Sequence, residues 1–453
     1  MPPSAVPVDS TAELTSAAVN RTITKTAPSI APATTPLLPT PLPELDASKL
    51  VVSLTTNPQT VPEPNSPEVW AQSTCSDHMV TVRWTSTGGW DAPELKPYGP
   101  FSIMPTASVL HYATECFEGM KAYRGHDGRL RLFRPDKNCQ RMLTSATRVA
   151  LPAFDPRELE KLIKKLVATD GPKWLPKSRP GSFLYLRPTM IATGKALGVQ
   201  KPKEATLFVL MACFPSFDEP TGSIGPDEKT TTTTTTTPEA KLVTKPGMKL
   251  LASKDDMIRA WPGGFGYAKL GANYGPSLLA QGEARERGYD QILWLFGPHG
   301  EVTEAGASNF FLIWRTRDGR LQLVTAPLGD KIILDGVTRR SVLELTRQRL
   351  AQPYEHDGDT TTTLDALEVV ERKFTMSEIE EAIAEGRLVE SFAAGTAFFI
   401  AAISVIHYRG RDLDVPMAAG TSGQYARVIK GWLKDIMYGN VQHEWGIVVD
   451  EEK

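Results

Sequence analysis

WPGGFGYAKLGANYGPS, residues 261–277, is the most unusual stretch of this sequence. Its one lysine, Lys269, lies among glycine, aromatic and aliphatic residues, and the next charged residue towards the C-terminus is Glu283. The glycines match neither a Walker loop nor a dinucleotide fingerprint. Most lysines lie on protein surfaces, but these neighbours would remove water from an ammonium and favour the neutral amine that Schiff-base chemistry needs. Two interpretations of this stretch therefore remain open. It is either a glycine-rich turn with a surface lysine or the site of a reactive lysine.

A second informative stretch, EVTEAGASNFFLIW at residues 301–314, places Glu304 before three small residues and an apolar strand. An acid in this position is commonly a turn residue at a strand end. The alternative is a carboxylate that faces a buried cationic partner, because a buried charge is retained only when it is paired. The chain has no H-E-x-x-H and no G-x-S-x-G motif, and its 7 histidines do not cluster. The sequence therefore predicts no metal site.

Composition excludes several classes of protein. The 453 residues carry 50 Lys and Arg against 52 Asp and Glu, a formal net charge of −2. A dedicated nucleic-acid binder is usually far more basic, and the longest apolar run, residues 397–406, is too short to cross a bilayer. The 4 cysteines are far apart, which is typical of reduced thiols. We expect no nucleic-acid partner and no membrane partner.

Composition also divides the chain into four parts. We predict a disordered tail rich in Pro, Thr and Ser at residues 1–65, a small domain at 66–214, a linker with a threonine run at 215–245, and a large domain at 246–453. The tail lacks the basic start and apolar segment of a signal peptide, and its acidic residues are unusual in a mitochondrial transit peptide. The sequence favours a cytoplasmic protein, with the mitochondrion as the alternative.

The pattern of apolar residues predicts both strands and helices. Residues 129–135 alternate as in a strand, and residues 155–171 form a helix in which Asp155 and Glu158 make a capping box. In the second half we predict strands at 291–296, 309–314, 321–325 and 397–405, and helices at 276–287, 338–351, 376–385 and 422–437. Because strands and helices do not alternate regularly, the sequence indicates an α+β protein of two domains.

Seven motifs in order resemble those of one family, the branched-chain amino-acid aminotransferases, which are pyridoxal-phosphate enzymes of fold type IV. They are LHYATECFEGMKAYRG (110–125), LFRPDKNCQRM (132–142), LYLRP (184–188), YAKLGANYGPS (267–277), EVTEAGASNFF (301–311), ILDGVTRRS (333–341) and GTA (395–397). The resemblance covers nearly everything from residue 77 to residue 445. It implies a smaller N-terminal α/β domain, a larger C-terminal domain with a barrel-like sheet, and a homodimer.

The resemblance also implies a cofactor, pyridoxal 5′-phosphate, and the residues that hold it. Lys269 would be joined to the cofactor as a Schiff base and would move the proton of the substrate Cα. Glu304 would pair with the pyridine nitrogen, and Tyr274 would hydrogen-bond the ring oxygen beside the imine. The phosphate would be held by Arg141 and by backbone N–H groups of Val337, Thr338 and Thr396.

For the substrate, the resemblance implies a pocket with apolar walls and a few polar groups. Phe117, Tyr112 and Tyr185 would line it, although core packing is an equal alternative for aromatic residues. Arg187 and the backbone around Thr396 and Ala397 would bind carboxylates. The neighbouring subunit would contribute Leu197 and Val199.

The activity implied is transfer of the amino group between leucine, isoleucine or valine and 2-oxoglutarate, giving branched-chain 2-oxo acids and glutamate. Two alternatives remain: another activity of fold type IV, such as a D-amino-acid transaminase or an aminodeoxychorismate lyase, and a non-catalytic scaffold of the same fold. The sequence departs from animal members, in which cysteines stand at the positions of Phe398 and Ala401. It also has Ala307 where a hydroxyl residue is common.

Overall fold

The computed structural model describes residues 41–216, 247–355 and 363–452. Residues 1–40 of the predicted tail, both threonine runs apart from Thr363, and nearly all of the predicted linker lie outside these ranges. The strands of the first part are β1 (Val51–Val52), β2 (His78–Thr85), β3 (Gly89–Trp90), β4 (Glu94–Pro97), β5 (Glu115–Phe117), β6 (Met120–Arg124), β7 (Leu130–Phe133), β8 (Phe183–Ala192) and β9 (Glu204–Ala212).

The later strands are β10 (Met248–Ala252), β11 (Gln291–Phe296), β12 (Glu301–Ala305), β13 (Ser308–Arg315), β14 (Leu321–Thr325), β15 (Tyr354–Glu355), β16 (Thr363–Leu364), β17 (Glu368–Glu371), β18 (Leu388–Gly395), β19 (Phe399–Tyr408), β20 (Arg411–Asp414) and β21 (Gly446–Val449). The α-helices are α1 (Pro67–Trp70), α2 (Ser108–Tyr112), α3 (Pro135–Arg148), α4 (Pro156–Trp174), α5 (Ser277–Glu286), α6 (Val337–Arg349), α7 (Met376–Ala384) and α8 (Gln424–Met437). Short 3-10 turns cover Ala47–Lys49 and Gly271–Asn273.

Two sheets organise the molecule. The first has the strand order β1-β4-β2-β9-β8-β6-β7-β21, with β3 on β2 and β5 on β8. The second has the order β12-β11-β10-β19-β18-β13-β14-β17, and β12 also pairs with β13. That additional pairing closes six strands into a barrel. The α+β architecture with a barrel-like second sheet, expected from the sequence, is confirmed.

Helices cover the sheets through faces that the strand alternation sets. On β13, Phe311 and Ile313 pack in one cluster with α6 and α8, whereas Phe310 and Leu312 pack in another with α7. Successive side chains of a strand point to opposite faces, so β13 is covered on both sides. Helices α3 and α4 pack in the core of the first sheet. The 4 cysteines are buried and unpaired.

Part of the predicted tail is ordered, so the boundary at residue 65 is a correction that the structure makes. Leu45 is buried in the core of the first sheet, and β1 pairs with β4. The backbone N–H of Ala47 donates to the Glu158 carboxylate at 2.8 Å. Glu158 therefore ties this segment to α4, although the sequence predicts that it closes a capping box with Asp155. Prolines disfavour regular structure but do not prevent an extended segment from packing on a sheet edge.

The last described strand returns to the first sheet. Strand β21 pairs antiparallel with β7, where Gly446 lies opposite Phe133. Next to it, the buried Arg124 donates to the Glu451 carboxylate at 2.6 Å, across a sequence separation of 327 residues. The two sheets thus lie on either side of residues 215–245 along the chain, except for β21.

A buried acid connects the barrel to α8. The Glu390 carboxylate, 1% exposed in β18, accepts hydrogen bonds from the backbone N–H groups of Tyr425 at 3.1 Å and Ala426 at 2.7 Å. The N-cap residue of α8, Gly423, has no side chain that could cap the helix, and the Glu390 carboxylate takes this role for the first turn. Burial raises the pKa of Glu390 to about 7, although the backbone N–H groups of Gln424, Tyr425 and Ala426 oppose the rise.

We expect the replacement Glu390→Gln to change how stability depends on pH. A carboxyl whose pKa is raised by folding binds its proton more tightly in the folded state, so its contribution is complete below about pH 4.5 and is lost as pH rises to about 7. That loss amounts to about 3 kcal/mol. Melting temperatures of both proteins from pH 5 to pH 8 should show the parent losing stability relative to the variant. A constant difference across that range would contradict this expectation.

Candidate active site

Lys269 lies between the two sheets on the segment that joins β10 to α5. Its neighbours Ala268 and Leu270 are buried in the core of the first sheet. Its carbonyl accepts from the Phe117 N–H at 3.1 Å, and its own N–H donates to the Ser145 hydroxyl at 2.8 Å. The backbone is therefore fixed on both sides, and the side chain can project into the space between the sheets.

The Lys269 amine has defined partners in that space. Its Nζ donates to the Tyr274 hydroxyl at 2.8 Å and lies 4.6 Å from the centre of the Phe117 ring. The 3-10 turn Gly271–Asn273 brings Tyr274 back towards the lysine. Both residues line a cavity of about 410 Å³ whose walls come from both sheets.

Arg141 lies in the same cavity and is held by a buried carboxylate. Glu118, 0% exposed, accepts from Arg141 Nε at 2.7 Å and Nη2 at 2.8 Å, and also from Asn138 at 2.8 Å. Arg141 Nη1 donates to the Asp335 carbonyl at 3.0 Å. Burial works against the charge of Arg141, but the neighbouring Glu118 carboxylate outweighs it and raises the pKa of the guanidinium. Arg141 therefore stays charged and keeps a fixed orientation.

Beside Arg141 the cavity meets the N-terminus of α6. Its N-cap is Gly336, which supplies no side-chain hydrogen bond, so the first N–H groups at Val337 and Thr338 face the cavity without a side-chain cap. A Cβ on Gly336 would lie 2.1 Å from the Asn309 side-chain oxygen, so a larger residue there would displace the buried Asn309. A helix N-terminus next to an arginine is suited to a phosphate.

Glu304 lies on the other wall of the cavity and is 2% exposed. Its Oε1 accepts from the Leu334 N–H at 3.2 Å and from the Asn309 amide at 3.3 Å. Its Oε2 lies 2.6 Å from Arg259 Nη1, yet the geometry gives Oε2 no hydrogen bond among the described residues. Burial raises the pKa of Glu304, and the Arg259 charge opposes the rise. The buried Oε2 of Glu304 can therefore accept a hydrogen bond from a protonated ring nitrogen.

The remaining wall combines aromatic rings with a single arginine. The Arg187 guanidinium lies 4.7 Å from the Phe117 ring centre and 5.2 Å from that of Tyr185. Its Nε is buried and has no hydrogen-bond partner in the part of the chain that the structure describes. Burial raises the pKa of the half-buried Glu115, and the Arg187 charge partly offsets that rise. This wall offers apolar contact and one available cation.

The structure brings most of the predicted site residues together. The cavity is lined by Phe117, Arg141, Tyr185, Arg187, Lys269, Tyr274, Glu304, Val337, Thr338, Thr396 and Ala397. Three predicted residues lie outside this cavity in the same chain: Tyr112, Leu197 and Val199, which are 41%, 53% and 85% exposed. The Tyr112 hydroxyl donates to the Leu197 carbonyl, and Val199 follows Leu197 by two residues. We call these three residues the exposed group.

Sequence reasoning missed several residues of the site. Glu118 stands inside a quoted motif, and an acid between two buried strands was a usable signal for a buried ion pair. Arg259 gave no such signal, because nothing in its neighbourhood marks it as the partner of a distant acid. It is, however, the cation that the interpretation of Glu304 as a paired carboxylate requires.

Comparison with known proteins agrees with this geometry. The sequence model of the family described as "Amino-transferase class IV" matches residues 115–384, which identifies the class. Cytosolic branched-chain-amino-acid aminotransferase of Saccharomyces cerevisiae is 42% identical over 412 residues, or 90% of this chain and 98% of that protein. The mouse cytosolic enzyme of the same name is 42% identical over 88% of this chain and 92% of its own length. The chain belongs to the branched-chain aminotransferase family of class IV.

Solved structures show the same fold. The branched-chain aminotransferase of Thermoproteus uzoniensis, with norvaline, has a TM-score of 0.56 and 23% identity over 82% of this chain and 99% of that one. The holo form with pyridoxal phosphate from Thermobaculum terrenum has a TM-score of 0.57 and 21% identity over 82% of this chain and 98% of that one. The fold is that of type IV, as the sequence predicts.

Proposed function

We propose that this protein transfers the amino group between leucine, isoleucine or valine and 2-oxoglutarate, giving branched-chain 2-oxo acids and glutamate. The observation that carries the proposal is the cavity in which the Lys269 amine, the Arg141 cradle and the buried Glu304 face one another. Relatives that are 41–42% identical over 80–90% of the chain are named branched-chain-amino-acid aminotransferases. The alternatives of another class IV reaction and of a non-catalytic scaffold are not favoured.

The residues of the cavity fit pyridoxal 5′-phosphate. Arg141 and the N-terminal N–H groups of α6 would hold its phosphate, and the Glu304 oxygen without a hydrogen bond would receive its ring nitrogen. Tyr274 would hydrogen-bond its ring oxygen. When bound, the cofactor supplies an aldehyde that takes up the amino group and a ring that accepts the negative charge formed at Cα.

The residues of this chain then supply orientation and proton transfer. With the cofactor bound, the Lys269 amine would act as the base that takes the proton from the substrate Cα, and the protonated amine would then act as the acid that gives it up. The Arg259 charge opposes the rise in the pKa of Glu304 and so favours the charged carboxylate, which would keep the ring nitrogen of the cofactor protonated. Because the first 2-oxo acid product must leave the pocket before 2-oxoglutarate can enter it, we expect ping-pong kinetics.

One pocket must accept both an aliphatic side chain and the carboxylate of glutamate. Phe117 and Tyr185 provide apolar contact for the first, and the available donors of Arg187 suit the second. The backbone of Thr396 and Ala397 would bind the α-carboxylate common to both substrates.

A panel of amino donors with 2-oxoglutarate tests the proposal. The purified protein, loaded with pyridoxal phosphate, should use L-leucine, L-isoleucine and L-valine far better than D-alanine, and should leave aminodeoxychorismate unchanged. Preference for either of the last two compounds would support the alternative class IV reactions. No change in the absorption spectrum on adding the cofactor would support a scaffold.

We also propose a homodimer, in which the exposed group of Tyr112, Leu197 and Val199 reaches the cavity of the partner subunit. Apolar residues this exposed favour an interface. Light scattering should give twice the mass of 49.6 kDa, and Val199→Asp should reduce it towards that value.

For the compartment we propose the cytoplasm, with the mitochondrion as the alternative. The composition of the tail supports the cytoplasm. The mitochondrion stays an alternative because the relatives include both cytosolic and mitochondrial enzymes. Among the described residues, every helix is too short or too polar to span a bilayer.

Tyr274→Phe tests the contact between this hydroxyl and Lys269. Because the variant loses a hydrogen bond of 2.8 Å to the amine, we expect kcat with leucine to fall about 10- to 100-fold, with the cofactor still bound. Tyr267→Phe removes a hydroxyl two residues before Lys269 and serves as the control. Equal kcat values for the two variants would exclude a role for the Tyr274 hydroxyl.

A further inference from the structure

The turn that carries Thr396 and Ala397 has a strained backbone. It joins β18 to β19 at residues 396–398 and is closed by the pairing of Gly395 with Phe399. Phe399 has a φ of 61°, in the left-handed region that is unfavourable for a bulky residue. A conformation of this kind persists only where surrounding contacts impose it.

Two contacts from outside the turn impose it. The Phe399 ring is 1% exposed, and its centre lies 6.2 Å from that of the Tyr123 ring. Lys121, on β6 of the first sheet, is 3% exposed and donates from Nζ to the Ala397 carbonyl at 2.9 Å. The same ammonium lies 4.6 Å from the centre of the Phe399 ring and 4.0 Å from that of Phe183.

Holding the Ala397 carbonyl has a consequence for the N–H groups of the turn. In a trans peptide the carbonyl oxygen and the following N–H point in opposite directions, and the described residues contain no cis peptide bond. Fixing this oxygen therefore fixes the plane of the Ala397–Phe398 peptide, and with it the orientation of the short turn. Thr396, Ala397 and Phe398 all line the cavity.

We propose that Lys121 is a positioning residue, which holds the Thr396–Ala397 turn in the orientation that binds the α-carboxylate of the substrate. It acts from the first sheet on a turn of the second, and it touches the turn and not the substrate. The inference rests on the proposed function, because it assumes an amino acid in the cavity. Arg141 donates to Glu118 and the Lys269 amine donates to Tyr274, whereas Lys121 donates to the Ala397 carbonyl.

The test compares a carboxylate with its amide on the holoenzyme. The probes are 4-methylpentanoate, which has the carbon skeleton of leucine without the amino group, and 4-methylpentanamide. In Lys121→Met we expect the dissociation constant of the carboxylate to rise about 10-fold, because the turn is no longer held in the orientation that binds the carboxylate. That of the amide should change less than about 2-fold. The KM for leucine should rise more than kcat falls, and Lys121→Arg should restore carboxylate binding.

Lys137→Met is the matched control, because Lys137 is a more exposed lysine on α3 that pairs with Asp136 at 3.0 Å. Lys121→Gln, which keeps a neutral donor, replaces Lys121→Met if the latter does not fold. Equal weakening of both probes, or of neither, would overturn the inference. Inactivity of the parent protein towards leucine would instead overturn the proposed function, so the two failures are distinguishable.

Discussion

Lys269→Ala should lower transamination of leucine about 10⁴-fold or more, because it removes the amine that we propose both bonds to the cofactor and moves the Cα proton. The variant should still bind pyridoxal phosphate, since Arg141, the N-terminus of α6 and Glu304 are unchanged. Stopped-flow and steady-state assays measure the loss, and fluorescence titration of the apo protein measures cofactor affinity.

Two controls define this expectation. Lys254→Ala removes an exposed lysine of the same segment, paired with Glu283 at 2.8 Å, and should retain activity. Borohydride reduction of the parent protein should fix the cofactor on the peptide that contains Lys269. Attachment at another lysine, or turnover by Lys269→Ala near the parent rate, would remove Lys269 from the mechanism.

Glu118→Ala should destabilise the protein by about 3–5 kcal/mol, because it leaves the buried guanidinium of Arg141 without its counter-charge. Asn138 would lose the same acceptor. The variant should also bind pyridoxal phosphate more weakly, since the carboxylate that aims Arg141 at the phosphate is gone. Denaturant unfolding of the apo protein measures the first effect, and cofactor titration measures the second.

The exposed pair of Glu94 with Lys96 provides the contrast. Its 3.0 Å contact lies in water, so Glu94→Ala should cost about 1 kcal/mol at most. Adding Arg141→Met to Glu118→Ala should recover part of the stability but none of the cofactor affinity. If Glu118→Ala and Glu94→Ala lowered the free energy of unfolding by similar amounts, the buried pair would contribute no more to stability than the exposed pair.

The regular elements were predictable because their patterns are local. The strands Gln291–Phe296 and Leu321–Thr325 occur as predicted. The strand predicted at residues 397–405 begins instead at Phe399, because residues 396–398 form the turn. From the sequence alone, apolar residues in a turn next to a cavity show the same pattern as apolar residues inside a strand.

The site was predictable only where its residues stand in motifs. Lys269 and Glu304 lie in distinctive stretches, whereas Arg259 reaches Glu304 through the folded chain alone. The structure of residues 41–65 could not be predicted for the same reason, because it depends on contacts with distant residues. Their anchors, Glu158 and the edge strand β4, are provided by distant parts of the sequence.

The place of β21 in the first sheet has a consequence for biosynthesis. Arg124 and Glu451 are separated by 327 residues, so at 5–20 residues per second a ribosome needs roughly 15–65 s between them. During that interval β7 is an open edge, available to other nascent chains. The newly synthesised chain should therefore depend on chaperones until the residues of β21 emerge.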